Sequence, residues 1–217
     1  MLAISKLLET HYYQDRFGMF IVYGESGIGK SVYVIKAFQE VGLDWKKHMF
    51  FRPEEFIQVV KDAYFKRRRI KALCVDDAGF GLFVWNWNKP FVRAFVQFIN
   101  VARTVVANII LTTPNPCMVV KKLTTLDAYF VKVMRQKSLE DGAYARLAKG
   151  YKNIMMPSGM RRIRVLFEDY FNAWLPDDVY SEYYEYRYGY VYDTMSNMFN
   201  SLYKTDDTVT EYSSEDD

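Results

Sequence analysis

Two hydrophobic rhythms divide this chain. Short, near-continuous apolar runs at Met19-Phe20-Ile21-Val22-Tyr23, Ile70 to Val75, Asn108-Ile109-Ile110-Leu111 and Ala128 to Met134 have the length and β-branched content of strands buried on both faces, and His48-Met49-Phe50-Phe51 reads as a further short strand. Between them run longer stretches with apolar residues three or four positions apart, the spacing of one helix face. These are Leu2 to Tyr13 (Leu2, Ile4, Leu7, Leu8), Ser31 to Val41 (Val32, Val34, Ile35, Phe38, with Gly42 as the stop) and Pro53 to about Lys66. In the last, Pro53 takes the first helical position and Phe56, Ile57, Val60 and Tyr64 are expected to face inward. Pro90 to Thr104 and Met118 to Leu126 complete the series. Strand and helix alternate, which predicts an α/β fold: a three-layer parallel sheet with helices on both faces and ligands at the carboxyl ends of the strands.

From about Ala143 the rhythm changes. Tyr144 to Met156 and Met160 to Phe167 flank Pro157-Ser158-Gly159, the pattern of an appended antiparallel hairpin. Pro176-Asp177-Asp178 then starts a C-terminal helix carrying Val179, Tyr180, Tyr183, Tyr184 and Arg187. The expected organisation is an N-terminal helix at 1–17, a core at 18–135, the hairpin and helical region at 136–204, and an acidic, disordered tail at 205–217.

The chemistry enters directly after the first strand. Gly24-Glu25-Ser26-Gly27-Ile28-Gly29-Lys30-Ser31 spells G-x-x-x-x-G-K-S between a strand and a helix, the setting of a phosphate-binding loop. The glycines let consecutive backbone N–H groups turn inward around phosphate oxygens, and the following helix presents the positive end of its dipole. Lys30 is expected to reach the β and γ phosphates, and the Ser31 hydroxyl to sit on Mg²⁺. Hydrolysis needs a second, acidic station at the end of a neighbouring buried strand. Asp76-Asp77 ends Ile70 to Val75 and fits: Asp76 for Mg²⁺, Asp77 to polarise the attacking water. The next buried strand ends in Thr112-Thr113-Pro114-Asn115-Pro116, where Thr113 and Asn115 are candidates to sense the γ-phosphate, with ordinary turn chemistry as the alternative.

The three strings G-E-S-G-I-G-K-S, L-C-V-D-D-A-G and I-I-L-T-T-P-N-P together resemble the AAA+ branch of P-loop ATPases that contains bacterial replication initiators, helicase loaders and IstB-type transposition ATPases. The chain also resembles small ATPases of archaeal viruses and plasmids. The resemblance spans roughly residues 18 to 135 and implies an additional-strand P-loop NTPase core, ATP and Mg²⁺ as ligands, and action as a homo-oligomer. Two departures stand out. The sensor strand ends in Thr112-Thr113-Pro114-Asn115 where the family commonly has threonine-serine-asparagine, and residues 143 to 168 read as strands where AAA+ proteins carry a helical lid. The appended strands look more like the RecA-type or packaging-motor branches, and the subgroup stays open. For a trans-acting arginine, Arg103, Arg135, Arg161 and Arg162 are available.

Composition adds a partner. The formal charge is +3, yet residues 205–217 hold six acidic residues and no basic one, so the rest of the chain has 29 basic and 20 acidic residues, about +9. A basic body suits DNA. Lys66-Arg67-Arg68-Arg69 could touch phosphates or simply complement a helix end, and the aromatic segment Gly79 to Lys89 could stack on bases, insert between subunits or form a satellite core. No apolar run is long enough to span a bilayer, no signal peptide is evident, and Cys74 and Cys117 have no metal-ligand spacing; the expected place is the cytoplasm, with both thiols reduced. The expected function is a Mg²⁺-dependent ATPase acting on DNA in replication, loading or translocation and packaging. A nucleotide or metabolite kinase and a non-hydrolysing, ATP-controlled assembly protein are the alternatives.

Overall fold

The computed structural model describes residues 1–78, 90–119, 121–124, 127–136, 144–156, 158 and 160–206. The aromatic segment 79–89 and most of the acidic tail lie outside the described residues.

In chain order the elements are α1 (Ala3–Tyr13), β1 (Gly18–Tyr23), α2 (Lys30–Glu40), the short α3 (Trp45–His48), β2 (Met49–Phe50), α4 (Pro53–Phe65), β3 (Leu73–Val75), α5 (Pro90–Ala102), β4 (Asn108–Thr113), the short α6 (Lys121–Thr124), β5 (Ala128–Arg135), β6 (Ala145–Met155), β7 (Arg161–Asn172) and α7 (Asp177–Asp206). The strands form one seven-stranded sheet in the order β2-β3-β4-β1-β5-β6-β7. The first five are parallel, and β6 and β7 add on antiparallel beside β5. The chain divides into two compact units, Met1–Trp174 and one that begins at Leu175.

Period-two alternation sorts the parallel strands into two buried faces. Met19 and Ile21 of β1, Leu73 and Val75 of β3, and Ile109 and Leu111 of β4 join Phe56 and Val60 of α4 and Phe95 and Ile99 of α5 in one cluster. The opposite face is covered by α1 and α2. Tyr64, expected inward, is 64% exposed, because helical geometry turns it off the stripe formed by Phe56, Val60 and Ala63. The expected strand from Ile70 shortens to Leu73–Val75, with Ile70 making an isolated bridge to Val106.

Asp169 of β7 ties the antiparallel half to α1 and α2. Leu2 supplies no side-chain cap to α1, and the buried Asp169 carboxylate supplies it from across the sheet, accepting from the backbone N–H of Ala3 at 2.6 Å and of Ile4 at 3.2 Å. It also accepts from the Tyr33 hydroxyl of α2 at 2.6 Å. Burial, then the neighbouring carboxylate, pushes the Tyr33 phenol well above its ordinary pKa, so it stays a donor.

Past the pairing of Gly150 with Phe167, the β6–β7 ladder shifts: Tyr151 pairs with Val165, leaving Leu166 as an extra residue, a β-bulge. Pairing with β5 ends at Lys152, so the remainder of β6 and the start of β7 continue as a two-stranded arm. In the second unit, α7 exposes Tyr180, Tyr184, Tyr188 and Tyr192 at a spacing of four. The first three rings stack with centroids 6.3 and 6.2 Å apart, neighbours by helical periodicity alone.

His11 of α1 closes a buried network over β4. The Asn108 amide donates to the carbonyls of Leu8 at 2.9 Å and Lys71 at 2.8 Å, so its oxygen, 2.7 Å from His11 Nδ1, accepts from that ring nitrogen. Nε2 is left to accept from the Tyr129 hydroxyl at 3.3 Å. Burial lowers the His11 pKa, with Arg16 and Lys152 adding to the shift and Asn108 opposing it. The ring therefore stays neutral in the fold while the unfolded chain takes up a proton near its ordinary value of 6.5. The stability this confers is present above 6.5 and is lost as pH falls toward the lower folded value. Urea midpoints measured between about pH 7.5 and 5.5 are expected to fall with pH, and His11→Gln to flatten that dependence while lowering stability throughout.

Candidate functional site

The loop from Gly24 to Ser31 leaves the end of β1 and turns into α2. Gly24, Gly27 and Gly29 have φ of 152°, 76° and 101°, values that L side chains rarely adopt. At two of them space is also closed: a Cβ on Gly24 would collide with the Val133 carbonyl of β5, and one on Gly29 would stand 2.9 Å from the Ala173 methyl. Glu25, Ser26 and Gly27 are exposed, whereas Ile28 is buried. Lys30, 93% buried, crosses the loop and donates to the carbonyls of Gly24 at 3.0 Å and Glu25 at 2.9 Å, holding the ammonium at the centre of the curl.

The acidic station stands beside it. Ser31, in the first turn of α2, donates to Asp76 Oδ1 at 3.0 Å. Thr112 of β4 donates to the same oxygen through a short hydrogen bond, and its hydroxyl accepts from the Asp77 N–H at 2.9 Å. Asp76 is fully buried and lies on the α2 face, in phase with Cys74 and opposite to Leu73 and Val75. Asp77 follows with φ of 49°, a left-handed turn that Asp and Asn tolerate. Burial, then Asp76 and Asp77, pushes the Cys74 thiol well above its ordinary pKa. Cys74 is buried and Cys117 exposed, and both are free.

The antiparallel half supports the loop. Arg146 at the start of β6 is 91% buried, and its Nε donates to the Ile28 carbonyl at 2.9 Å. Val133 of β5 and Ala173 after β7 supply the close approaches at Gly24 and Gly29. The phosphate-binding loop is thus seated against strands that enter the chain more than a hundred residues later.

Other sequence candidates fall elsewhere. The Thr113 hydroxyl donates to the Asn115 carbonyl at 3.0 Å, and the Asn115 side chain accepts from the Cys117 N–H at 2.9 Å, capping a 3₁₀ turn over Pro116–Met118. It is Thr112 that the structure brings to the aspartates. Within the basic run, Lys66 pairs with Asp62 at 3.0 Å, and Arg69 donates to the carbonyls of Tyr12 and Arg16 and to Asp15, fastening the end of α1. Arg67 and Arg68 are exposed. Arg103, Arg135 and Arg162 are exposed as well, at the end of α5, the end of β5 and near the start of β7, where Arg161 also lies.

A phosphate-binding loop between β1 and α2, with β4 inserted between β1 and β3, the strand that leads into Asp76, gives this chain the fold of a P-loop NTPase of the additional-strand layout. No family model matches the chain. It is similar to two proteins of archaeal viruses: the uncharacterized protein B-251 of Sulfolobus spindle-shape virus 1, at 26% identity over 84% of this chain and 78% of that one, and the uncharacterized protein ORF286 of Acidianus two-tailed virus, at 33% over 51% and 41%. Among solved structures, it is similar to the N-terminal domain of zonular occludens toxin from Neisseria meningitidis (TM-score 0.42, 14% identity, 71% of this chain and 95% of that one). It is also similar to the genome packaging NTPase B204 of Sulfolobus turreted icosahedral virus 2 in complex with ATP-gammaS (TM-score 0.42, 12% identity, 68% and 96%). No helix among the described residues is long and apolar enough to cross a membrane.

Thr112 and Thr113 provide an internal comparison. Thr112→Val keeps the shape but removes the hydroxyl that accepts from the Asp77 N–H and donates to a buried carboxylate, and is expected to cost about 1–3 kcal/mol. Thr113→Val breaks one local turn bond and is expected to cost less than half as much; urea unfolding of the two variants side by side checks the difference.

Proposed function

We propose that this chain binds ATP with Mg²⁺ and hydrolyses it, working on DNA in replication, loading or translocation and packaging, as a homo-oligomer in the cytoplasm of the host cell. One observation carries the reading: the hydroxyls of Ser31 and Thr112 converge on the buried Asp76 carboxylate at the mouth of a phosphate-binding loop, with a second carboxylate next in sequence. A loop used only as a structural turn has no need of a buried acid there.

The donor set fits Mg²⁺, a hard ion that prefers oxygen, keeps several waters and takes one or two carboxylates plus substrate phosphates. Ser31 and Asp76 would hold it, and when bound it neutralises charge on the β and γ phosphates. The chain's own groups supply the rest. The backbone N–H groups of Gly24 to Ser31 and the N-terminus of α2 receive the phosphates. Lys30 exchanges its bonds to the Gly24 and Glu25 carbonyls for phosphate oxygens, so the loop is held curled before the ligand arrives. Asp77 orients and polarises the attacking water, and Thr112 fixes both aspartates to β4, the strand that ends at Thr113. Thr113 or Asn115 would sense the γ-phosphate after releasing its present turn bond. The excess of basic residues outside the tail supports DNA as the partner.

Asp77→Asn is suited to the test because Asn accepts the same left-handed backbone. It is expected to retain ATP affinity within about threefold and to lose hydrolysis by about a hundredfold or more. Lys30→Ala is expected to lose binding itself, and wild-type ATPase activity to rise with DNA. Wild-type hydrolysis in Asp77→Asn would sink the catalytic assignment, and phosphate transfer to nucleosides or nucleoside monophosphates without a DNA effect would establish a kinase instead.

A further inference from the structure

The β6–β7 arm leaves the sheet at the end opposite the phosphate-binding loop. Arg146, at the loop, pairs with Arg135 at the end of β5, whereas Lys152 pairs with Tyr129 near its start, and beyond Lys152 only the two arm strands pair with each other. Six residue steps of extended chain take β6 from Arg146 to Lys152, about 20 Å at a rise of roughly 3.4 Å per residue.

The arm's composition is one-sided. Residues 151–166 hold four basic residues, Lys152, Arg161, Arg162 and Arg164, and no acidic one. Register puts three of them on one face. Arg164 lies directly opposite Lys152 and Arg162 opposite Ile154, and directly opposed residues share a face. Lys152 is neutralised within the fold, its ammonium 2.9 Å from Asp127 and 4.7 Å from the centre of the Tyr129 ring. Arg162 and Arg164 are exposed. The reverse face carries Ile163, 73% exposed, and Val165, 47% exposed.

We infer that this arm is a duplex-DNA contact, with Arg162 and Arg164 on the phosphate backbone. Two positions along a strand place their side chains about 7 Å apart, about two of the roughly 3.4 Å steps that successive phosphates of one DNA strand make along the duplex axis. A two-stranded antiparallel ribbon is also one of the two elements that the major groove admits. The contact rests on the DNA reading proposed above and gives it a location, at the far end of the strand that grips the loop through Arg146.

The test is fluorescence anisotropy of the full chain with a labelled duplex of about 30 base pairs, titrated across roughly 50 to 300 mM salt. Arg162→Gln/Arg164→Gln is expected to flatten the slope of log affinity against log salt by about 1.8, near 0.9 per lost phosphate contact, and to weaken binding at least tenfold at the low-salt end. Arg162→Lys/Arg164→Lys is expected to keep the wild-type slope, and a matching thermal melt shows that the glutamine variant is folded. An unchanged slope in the glutamine variant overturns the arm while leaving the DNA reading intact. A flattening of about 0.9 by the single Arg103→Gln, at the end of α5, as much per residue as in the arm, overturns it in favour of bulk charge. A changed sedimentation coefficient with an unchanged slope assigns the arm to contacts between copies and overturns it too. Wild-type protein with no salt-sensitive affinity for duplex DNA overturns the DNA reading as well.

Discussion

A carboxylate taken out of water costs several kcal/mol unless donors replace its hydration, and Asp76 is fully buried. Its oxygen is met by hydroxyls from two other elements, Ser31 of α2 and Thr112 of β4. That requirement locks β3, β4 and the start of α2 into one register, because a shift of one residue in either strand would carry the partner to the opposite face. The αL turn at Asp77, whose N–H is bound by the same Thr112 hydroxyl, and the pairing of β4 with β3 are tied to this one carboxylate.

The two halves of the sheet divide the work. The parallel strands are buried between helices on both faces and end in the polar groups of the site. The antiparallel strands contribute their own polar groups inward: Asp169 to the start of α1 and to Tyr33, Arg146 to the loop carbonyl of Ile28. On the other face they carry surface chemistry, an exposed Tyr170 and a Lys149–Glu168 ion pair at 2.6 Å in which Lys149 holds the Glu168 carboxyl below its ordinary pKa.

Much of this was legible in the sequence because the signals were local. Strand and helix order, the P-loop, the acidic pair and the antiparallel addition each rest on a run of neighbouring residues. Nothing in the strand-end string itself sets Thr112 apart, yet alternation along β4 contains the clue: Asn108, Ile110 and Thr112 share a face, and that face meets α1 at Leu8 and α2 through Asp76 and Ser31. Arg146 had no such clue. Its burial beside Ile28 comes from a strand pairing that brings together residues 118 apart, and nothing in its neighbours marks it from the other basic residues of the hairpin. The capping of α1 by Asp169 is invisible for the same reason, since a cap is ordinarily sought next to the helix it serves.

The bulge at Leu166 has a consequence for how this hairpin can change. At the root of β7 the odd positions, Asp169 and Phe171, point to the face of α1 and α2; beyond the bulge the even positions, Arg162 and Arg164, do so. One unpaired residue thus acts as a parity switch between two reading frames on a single strand. It uncouples the outer segment from the inner one: gain or loss of a residue there would invert which chemistry the tip offers to either side, while leaving every contact that seats the nucleotide loop in its original frame.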